Sequence, residues 1–318
     1  MADLPLAELA QQILQRDYGI TGAQIGIQRG YMSDRAVVEA CGRRWLLKLY
    51  GRGGTDSTAL AEAHRLVRFL AERSFPTPAP IESLHGRTLV TCDARMCALF
   101  PFVDGQPFSP GSREQLAAAG RALAQLHALG AEFGFDPQHL PNAPIDGILE
   151  AKARELDAVR THIDAALWSA LDQALRAGDE LQRGAGALPH TMVHGDFRAQ
   201  NVLFDRDRVA AVLDFDAATV APRLVDLAYA LVFFQAVIAQ PPLSRDQATV
   251  LLDAHEQVNP LTDPERALLP AAVRFSWMRG MLLWARIAYL DRASDKAQGW
   301  IEAYRDYPRQ IESFDMSL

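Results

Sequence analysis

Apolar residues recur at helical spacing from Leu6 to about Asp17, and the period then shortens to two. Alternating segments at Gln24 to Arg29, Arg35 to Ala40 and Arg44 to Tyr50 predict strands, and the tight Cys41-Gly42 connection predicts antiparallel pairing. A helical stripe returns with Leu60, Ala63, Leu66, Val67 and Leu70, giving a helix capped by Ser57 and running to about Arg73. Phe75-Pro76-Thr77-Pro78 ends it. Strand candidates follow at Ile81 to Leu84, Thr88 to Cys92 and Met96 to Phe100, with turns at His85-Gly86 and Asp93-Ala94. After Phe100 to Gly105 the chain becomes rich in Ala and Leu, with helical periodicity near Ser112 to Leu129, Ile145 to Arg160, Ala165 to Leu181 and Leu224 to Ala239. Pro241-Pro242 and Asn259-Pro260 interrupt the later helices. The expected fold class is α+β, with a small sheet-plus-helix domain over residues 1–103 and a larger helical domain over 104–318. No internal repeat is found.

Composition narrows the function classes. A chain of 318 residues with 49% hydrophobic content can bury two modest cores. A formal charge of −7 argues against general binding to nucleic acid or anionic membranes, which depends on clustered Lys and Arg. The most apolar run, Leu224 to Ala239, is interrupted by Asp226 and Gln235 and reads as a core helix. The opening MADLPLAELAQQIL lacks the basic and apolar blocks of a signal peptide, so a cytoplasmic protein is expected. Cys41, Cys92 and Cys97 are odd in number, lack metal-site spacing and read as reduced, mostly packed thiols.

One apolar stretch, VHGDFRAQNVLFDRDRVAAVLDFD from Val193 to Asp216, carries an unusual density of polar side chains: Asp196, Asn201, Asp214 and Asp216. Buried carboxylates and amides need partners, so either a structural network or a bound cation is implied. The order is informative. An Asp followed five positions later by an Asn, then an Asp at a strand end, is the arrangement kinase folds use for phosphoryl transfer. Asp196 would orient or accept the proton of a hydroxyl, while the Asn201 amide oxygen and the Asp214 carboxylate offer the hard oxygen ligands Mg²⁺ requires.

In His194-Gly195-Asp196-Phe197-Arg198-Ala199-Gln200-Asn201, in Asp214-Phe215-Asp216 and in Asp226-Leu227-Ala228, the chain resembles the aminoglycoside phosphotransferase and homoserine kinase-like superfamily. The resemblance implies a two-lobed protein-kinase-like fold, with Asp196 as catalytic base and Asn201 and Asp214 as metal ligands. It directs attention to three further features of the N-terminal segment. Lys48 shares a strand face with Leu46 and Tyr50 and would hold phosphates. Glu62, on the following helix with Leu66 and Phe69, would pair with Lys48 and fix its direction. The loop Gln28 to Asp34, with Gly30 and Ser33, would cover the β- and γ-phosphates, although it lacks the several glycines of protein kinases. Phe100 to Val103 would form the hinge whose backbone, at Phe102 and Val103, meets the adenine edge.

Taken singly, Asp196, Asn201 and Asp214 are ordinary turn or cap residues; their combination with Lys48 favours chemistry. Asp216 would either join the metal site or hold the loop. His194 reads as an organiser of the loop, and Asp226 as a helix cap or a partner for the loop backbone. His127, Trp277 and Trp284 read as core residues. Glu150, Glu155, Asp157 and Asp164 alternate with Lys152, Arg154 and Arg160 and read as solvated helix faces. The short interval from Asp214 to Asp226 leaves little room for a peptide-docking segment. The expectation is therefore an ATP- and Mg²⁺-dependent kinase that phosphorylates a small-molecule hydroxyl, without nucleic-acid or membrane partners. An amino alcohol such as homoserine or choline, an aminoglycoside or a sugar would be the acceptor. The alternative is a nucleotide-binding pseudokinase with a regulatory or scaffolding role.

Overall fold

The computed structural model describes residues 5–30, 33–51, 56–93, 95–134, 145–236, 242–292 and 296–307. It divides into two units, one built from the chain up to Gly105 together with Ala210–Asp216, the other from most of the remainder.

In the first unit, helix α1 (Leu6–Tyr18) precedes strands β1 (Gln24–Gln28), β2 (Ser33–Ala40) and β3 (Arg43–Tyr50). Helix α2 (Ser57–Glu72) and strands β4 (Val90–Cys92) and β5 (Arg95–Pro101) follow. The sheet is antiparallel in the order β1-β2-β3-β5-β4. Cys41 and Gly42, both at positive φ (49° and 70°), make the two-residue β2–β3 turn whose twist matches its strands. Strand alternation sorts β3 by face. Leu47 and Leu49 join Val38, Cys97 and Leu99 against Leu9, Ile13 and Leu14 of α1. Each such fully buried aliphatic side chain contributes about 1.5–3 kcal/mol. Lys48 and Tyr50 point the other way, where Tyr50 packs with Leu60 and Ala98.

Two local expectations are corrected. Helix α2 is capped by Asp56, whose carboxylate accepts from the Thr58 and Ala59 amides, and Ser57 is already its first residue. A carboxylate at that position also complements the positive end of the helix. Of the candidate strand Ile81 to Leu84, only Ile81 bridges to the sheet, at Leu99, while the Leu84 amide turns to the Asp17 carbonyl.

The second unit holds α3 (Arg113–Glu132), α4 (Ile145–Val159), α5 (Ala165–Gly184), β6 (His190–Val193) and β7 (Val202–Asp205). Strand β8 (Arg208–Val212) leads from it into the Ala210–Asp216 segment. Strand β9 (Thr219–Pro222) and helices α6 (Arg223–Phe233), α7 (Arg245–Glu256), α8 (Asp263–Ala285) and α9 (Lys296–Tyr304) complete it. Strands β6 and β9 pair antiparallel and brace the loop between them. Ser112, Asp164, Ser244 and Thr262 cap their helices, the last two in reciprocal capping boxes. Trp277 is a core residue, its indole donating to the Tyr304 carbonyl at 2.9 Å. Helix α6 is shorter than its apolar run: the chain leaves the helix at Phe234, whose carbonyl accepts the Ala199 amide at 2.6 Å. Residues 237–241 lie outside the described residues. Among the described residues no helix is long and apolar enough to cross a membrane.

Candidate active site

The residues singled out in the sequence fall into two constellations, one in each unit. In the first unit, β3 carries Lys48 with only 5% of its surface exposed. Its ammonium lies 2.6 Å from the Asp214 carboxylate, 2.5 Å from that of Asp216 and 5.1 Å from the centre of the Tyr50 ring. Arg35 on β2 adds a second cation to Asp214 at 3.2 Å. Asp214 follows β8 in the left-handed region, φ 66°, a conformation that costs a non-glycine residue free energy and aims its carboxylate at the lysine. Burial raises the Asp216 carboxyl above its usual range; Lys48 opposes that shift and Asp214 adds to it. Burial, aided by the Lys48 charge, pushes the His64 imidazole down to about 4.

The Lys48–Glu62 pair expected from the sequence is not formed. Glu62 is 2% exposed and takes Arg65, one turn along α2, at 2.6 and 2.7 Å. A buried carboxylate with a guanidinium on its own helix has its charge met locally, and Lys48 takes the two aspartates instead. Gly30 is required by close approach, since a Cβ there would collide with the Ser33 carbonyl. Ser33 opens β2 opposite Tyr50, and Tyr31 and Met32 of the expected phosphate-covering loop lie outside the described residues. At the end of the sheet the Phe102 amide donates to the Arg44 carbonyl at 3.2 Å, and the Arg44 guanidinium lies 4.4 Å over the Phe102 ring. Phe102 and Val103 are half-buried.

In the second unit, the loop after β6 begins with His194 and Gly195, the latter at φ 78°, where a Cβ would meet the Ala217 carbonyl. The Asp226 carboxylate, in the first turn of α6, accepts both the His194 and Gly195 amides at 2.9 Å. It also contacts His127 Nε2 of α3 at 3.1 Å, and His127 Nδ1 lies 3.2 Å from His255 Nε2 of α7. Burial works to raise the Asp226 pKa, but the His127 hydrogen bond, the neighbouring histidine charges and the loop amides outweigh it and hold it low. His255 is pushed down to about 2, by burial first and then by His127 and Arg223. Thus Asp226 partners the loop backbone, and His127 is a core residue that is part of a polar chain.

The loop so fixed presents Asp196. Its Oδ1 accepts the Tyr229 hydroxyl at 2.6 Å; its Oδ2 accepts the Asn201 amide at 2.9 Å and lies 3.1 Å from an Arg198 nitrogen. Asn201 also donates to the Asp196 carbonyl at 2.9 Å, so its amide oxygen is the atom left to offer a cation. Tyr229 and Arg198 were not singled out in the sequence. The signal for Tyr229 was its place one turn after Asp226, a second polar group on the same side of an apolar helix.

The donor chemistry suits a hard divalent cation. The carboxylate oxygens of Asp214 and Asp216 in the first unit, and separately the amide oxygen of Asn201 in the second, are ligand types Mg²⁺ takes, and among the described residues no group of three His, Cys, Asp or Glu could hold a metal ion. A divalent cation taken up by such donors would share its coordination with substrate phosphates.

A family model described as the phosphotransferase enzyme family matches residues 24–267. The chain belongs to that family. This phosphotransferase is 28% identical over 281 residues to a homoserine kinase of Methylobacillus flagellatus, covering 88% of this chain and 84% of that one. It is 32% identical over 223 residues to a homoserine kinase of Rhodospirillum rubrum, covering 68% and 66% of the two chains. In fold it is similar to the amicoumacin kinase hAmiN in complex with AMP-PNP, Ca²⁺ and Ami, with TM-score 0.72, 14% identity and coverage of 97% and 94%. A microcompartment-associated aminopropanol kinase aligns with TM-score 0.65 at 18% identity, covering 96% of this chain and 95% of that one. The phosphotransferase therefore has the kinase-like α+β fold and is a small-molecule kinase that acts on a hydroxyl group. The pseudokinase alternative has no support among these relatives.

Proposed function

We propose that this phosphotransferase moves the γ-phosphate of Mg²⁺-ATP onto the side-chain hydroxyl of homoserine or a closely similar amino alcohol. The observation that carries the chemistry is Asp196, a carboxylate held by Tyr229, Asn201 and Arg198 on a loop anchored by Asp226. The homoserine kinases it is similar to along most of its length support the acceptor.

In this reading residues 1–103 hold the nucleotide and residues 104–318 the acceptor. Lys48, directed by Asp214 and Asp216, meets the phosphates; the turn at Gly30 and Ser33 covers them; Phe102 and Val103 meet the adenine edge. Mg²⁺ on Asp214 and Asn201 would neutralise charge on the phosphates. Asp196 orients the acceptor hydroxyl and takes its proton as the new O–P bond forms and the bond to the leaving ADP breaks. Arg198, beside Asp196, supplies positive charge where the transferred group passes.

The test is ADP release coupled to ³¹P detection of the phosphorylated product, across homoserine, choline, aminopropanol, methylthioribose and an aminoglycoside. Homoserine should give a kcat/KM at least about tenfold above the others, a margin that acceptor contacts can supply. A higher value for any other member would replace homoserine as the acceptor.

A further inference from the structure

Arg279 on α8 is not among the side chains that hold Asp196. It precedes Gly280, where α8 closes so tightly on α6 that a Cβ would collide with the Phe233 ring. One turn before Phe233 on α6 is Tyr229, ring to ring at 5.1 Å, and the Tyr229 hydroxyl holds Asp196. Arg279 is therefore carried by the helix packed beside the tyrosine that positions the catalytic carboxylate. It is near enough for its charge to act on the Tyr229 hydroxyl and to feel the Asp226 carboxylate.

The guanidinium is half-buried, and burial lowers its pKa, yet among the described residues it makes no hydrogen bond or ion pair. Its ring neighbour is Phe275, at 5.7 Å. Tyr229 and Asp226 offset the effect of burial only in part, and Asp226 makes no direct ion pair with Arg279 because its oxygens already accept two amides and contact His127. An arginine stays charged at any physiological pH, and a half-buried one without a direct anion partner keeps its donors open to a ligand. The unmatched fork suits a carboxylate, which it can bind with two parallel hydrogen bonds.

We propose that Arg279 receives the carboxylate of the acceptor, so that the enzyme selects a hydroxylated amino acid or similar hydroxy acid and disfavours acceptors that carry only amines. The proposal rests on the kinase reading above and narrows it. Arg198 already places a cation beside Asp196, so Arg279 is assigned to the acceptor and the transferred phosphate to Arg198.

The experiment compares homoserine with homoserinol, in which a CH₂OH group replaces the carboxylate, on the wild type, Arg279→Gln and Arg279→Lys. Initial rates and calorimetric binding are measured, with ATP affinity alongside and circular dichroism confirming the fold. The wild type should prefer the acid, and Arg279→Gln should lose about 10- to 100-fold in homoserine KM and Kd, the weight of a charge-assisted bidentate contact. Homoserinol and ATP affinities should stay within about threefold, and Arg279→Lys should recover part of the acid preference. Unchanged homoserine binding in Arg279→Gln overturns the proposal, as does a loss confined to ATP. Binding needs no turnover, so the two readings fail separately. Arg279-dependent acid binding without phosphorylation would sink the kinase reading alone. Phosphorylation of both compounds without Arg279 dependence would sink the Arg279 assignment alone.

Discussion

At Lys48 a single ammonium lies between two carboxylates, and the direction of the shifts around it follows from that arrangement. The lysine limits how far burial raises Asp216, and its charge helps hold His64 neutral. Strand alternation was enough to put Lys48 on the face opposite Leu47 and Leu49, because the period of two leaves no other choice. Its partners were not legible. Asp214 and Asp216 lie more than 160 positions away, whereas Glu62 lies close in sequence and is satisfied by Arg65. Lys48→Met should raise the ATP KM about tenfold and lower kcat by about 10²-fold, as expected for a charge acting on phosphates. Glu62→Gln should change either constant by less than about threefold, because Arg65 and not Lys48 is its partner. Initial rates at saturating acceptor check both, and a Glu62→Gln defect as deep as that of Lys48→Met would restore the Lys48–Glu62 pair.

Between elements, the chain of contacts from the loop amides through Asp226 and His127 to His255 ties β6, α6, α3 and α7 together. The start of α6 was readable from the sequence as a cap or a loop partner, since an Asp opening an apolar helix has few other uses. The His127–His255 contact spans 128 positions and has no local signature. This chain makes stability depend on pH with a definite sign. The His255 pKa falls from 6.5 in the unfolded chain to about 2, so between those values the unfolded state binds a proton that the folded state does not. Its contribution is whole above pH 6.5 and is lost as pH falls toward 2. His64, held at about 4, adds a second proton of the same sign from pH 6.5 down to about 4. Urea unfolding between pH 7 and 5 should therefore lose up to about 1.4 kcal/mol per pH unit for each group, and His255→Asn should remove one proton's share of that slope. An unchanged slope in His255→Asn would show that His255 is not held neutral.

For the whole molecule, the division into a sheet-bearing and a helical part was legible because hydrophobic period and composition both change near Gly105. The candidate catalytic residues Asp196, Asn201 and Asp214 could be picked out from the sequence because they are close in position as well as in kind. Tyr229, Arg198 and Arg279 were not, since each acquires meaning only from what it touches or fails to touch. The family match over residues 24–267 agrees with the expected phosphotransferase family, and the acceptor is the finest point proposed. Its central claim, that Asp196 serves phosphoryl transfer to a hydroxyl, is tested most directly by Asp196→Asn. Transfer from Mg²⁺-ATP to homoserine should fall by about 10³-fold in kcat while ATP affinity, measured by titration, stays within about threefold. A variant that keeps a kcat within about tenfold of the wild type would contradict the assignment.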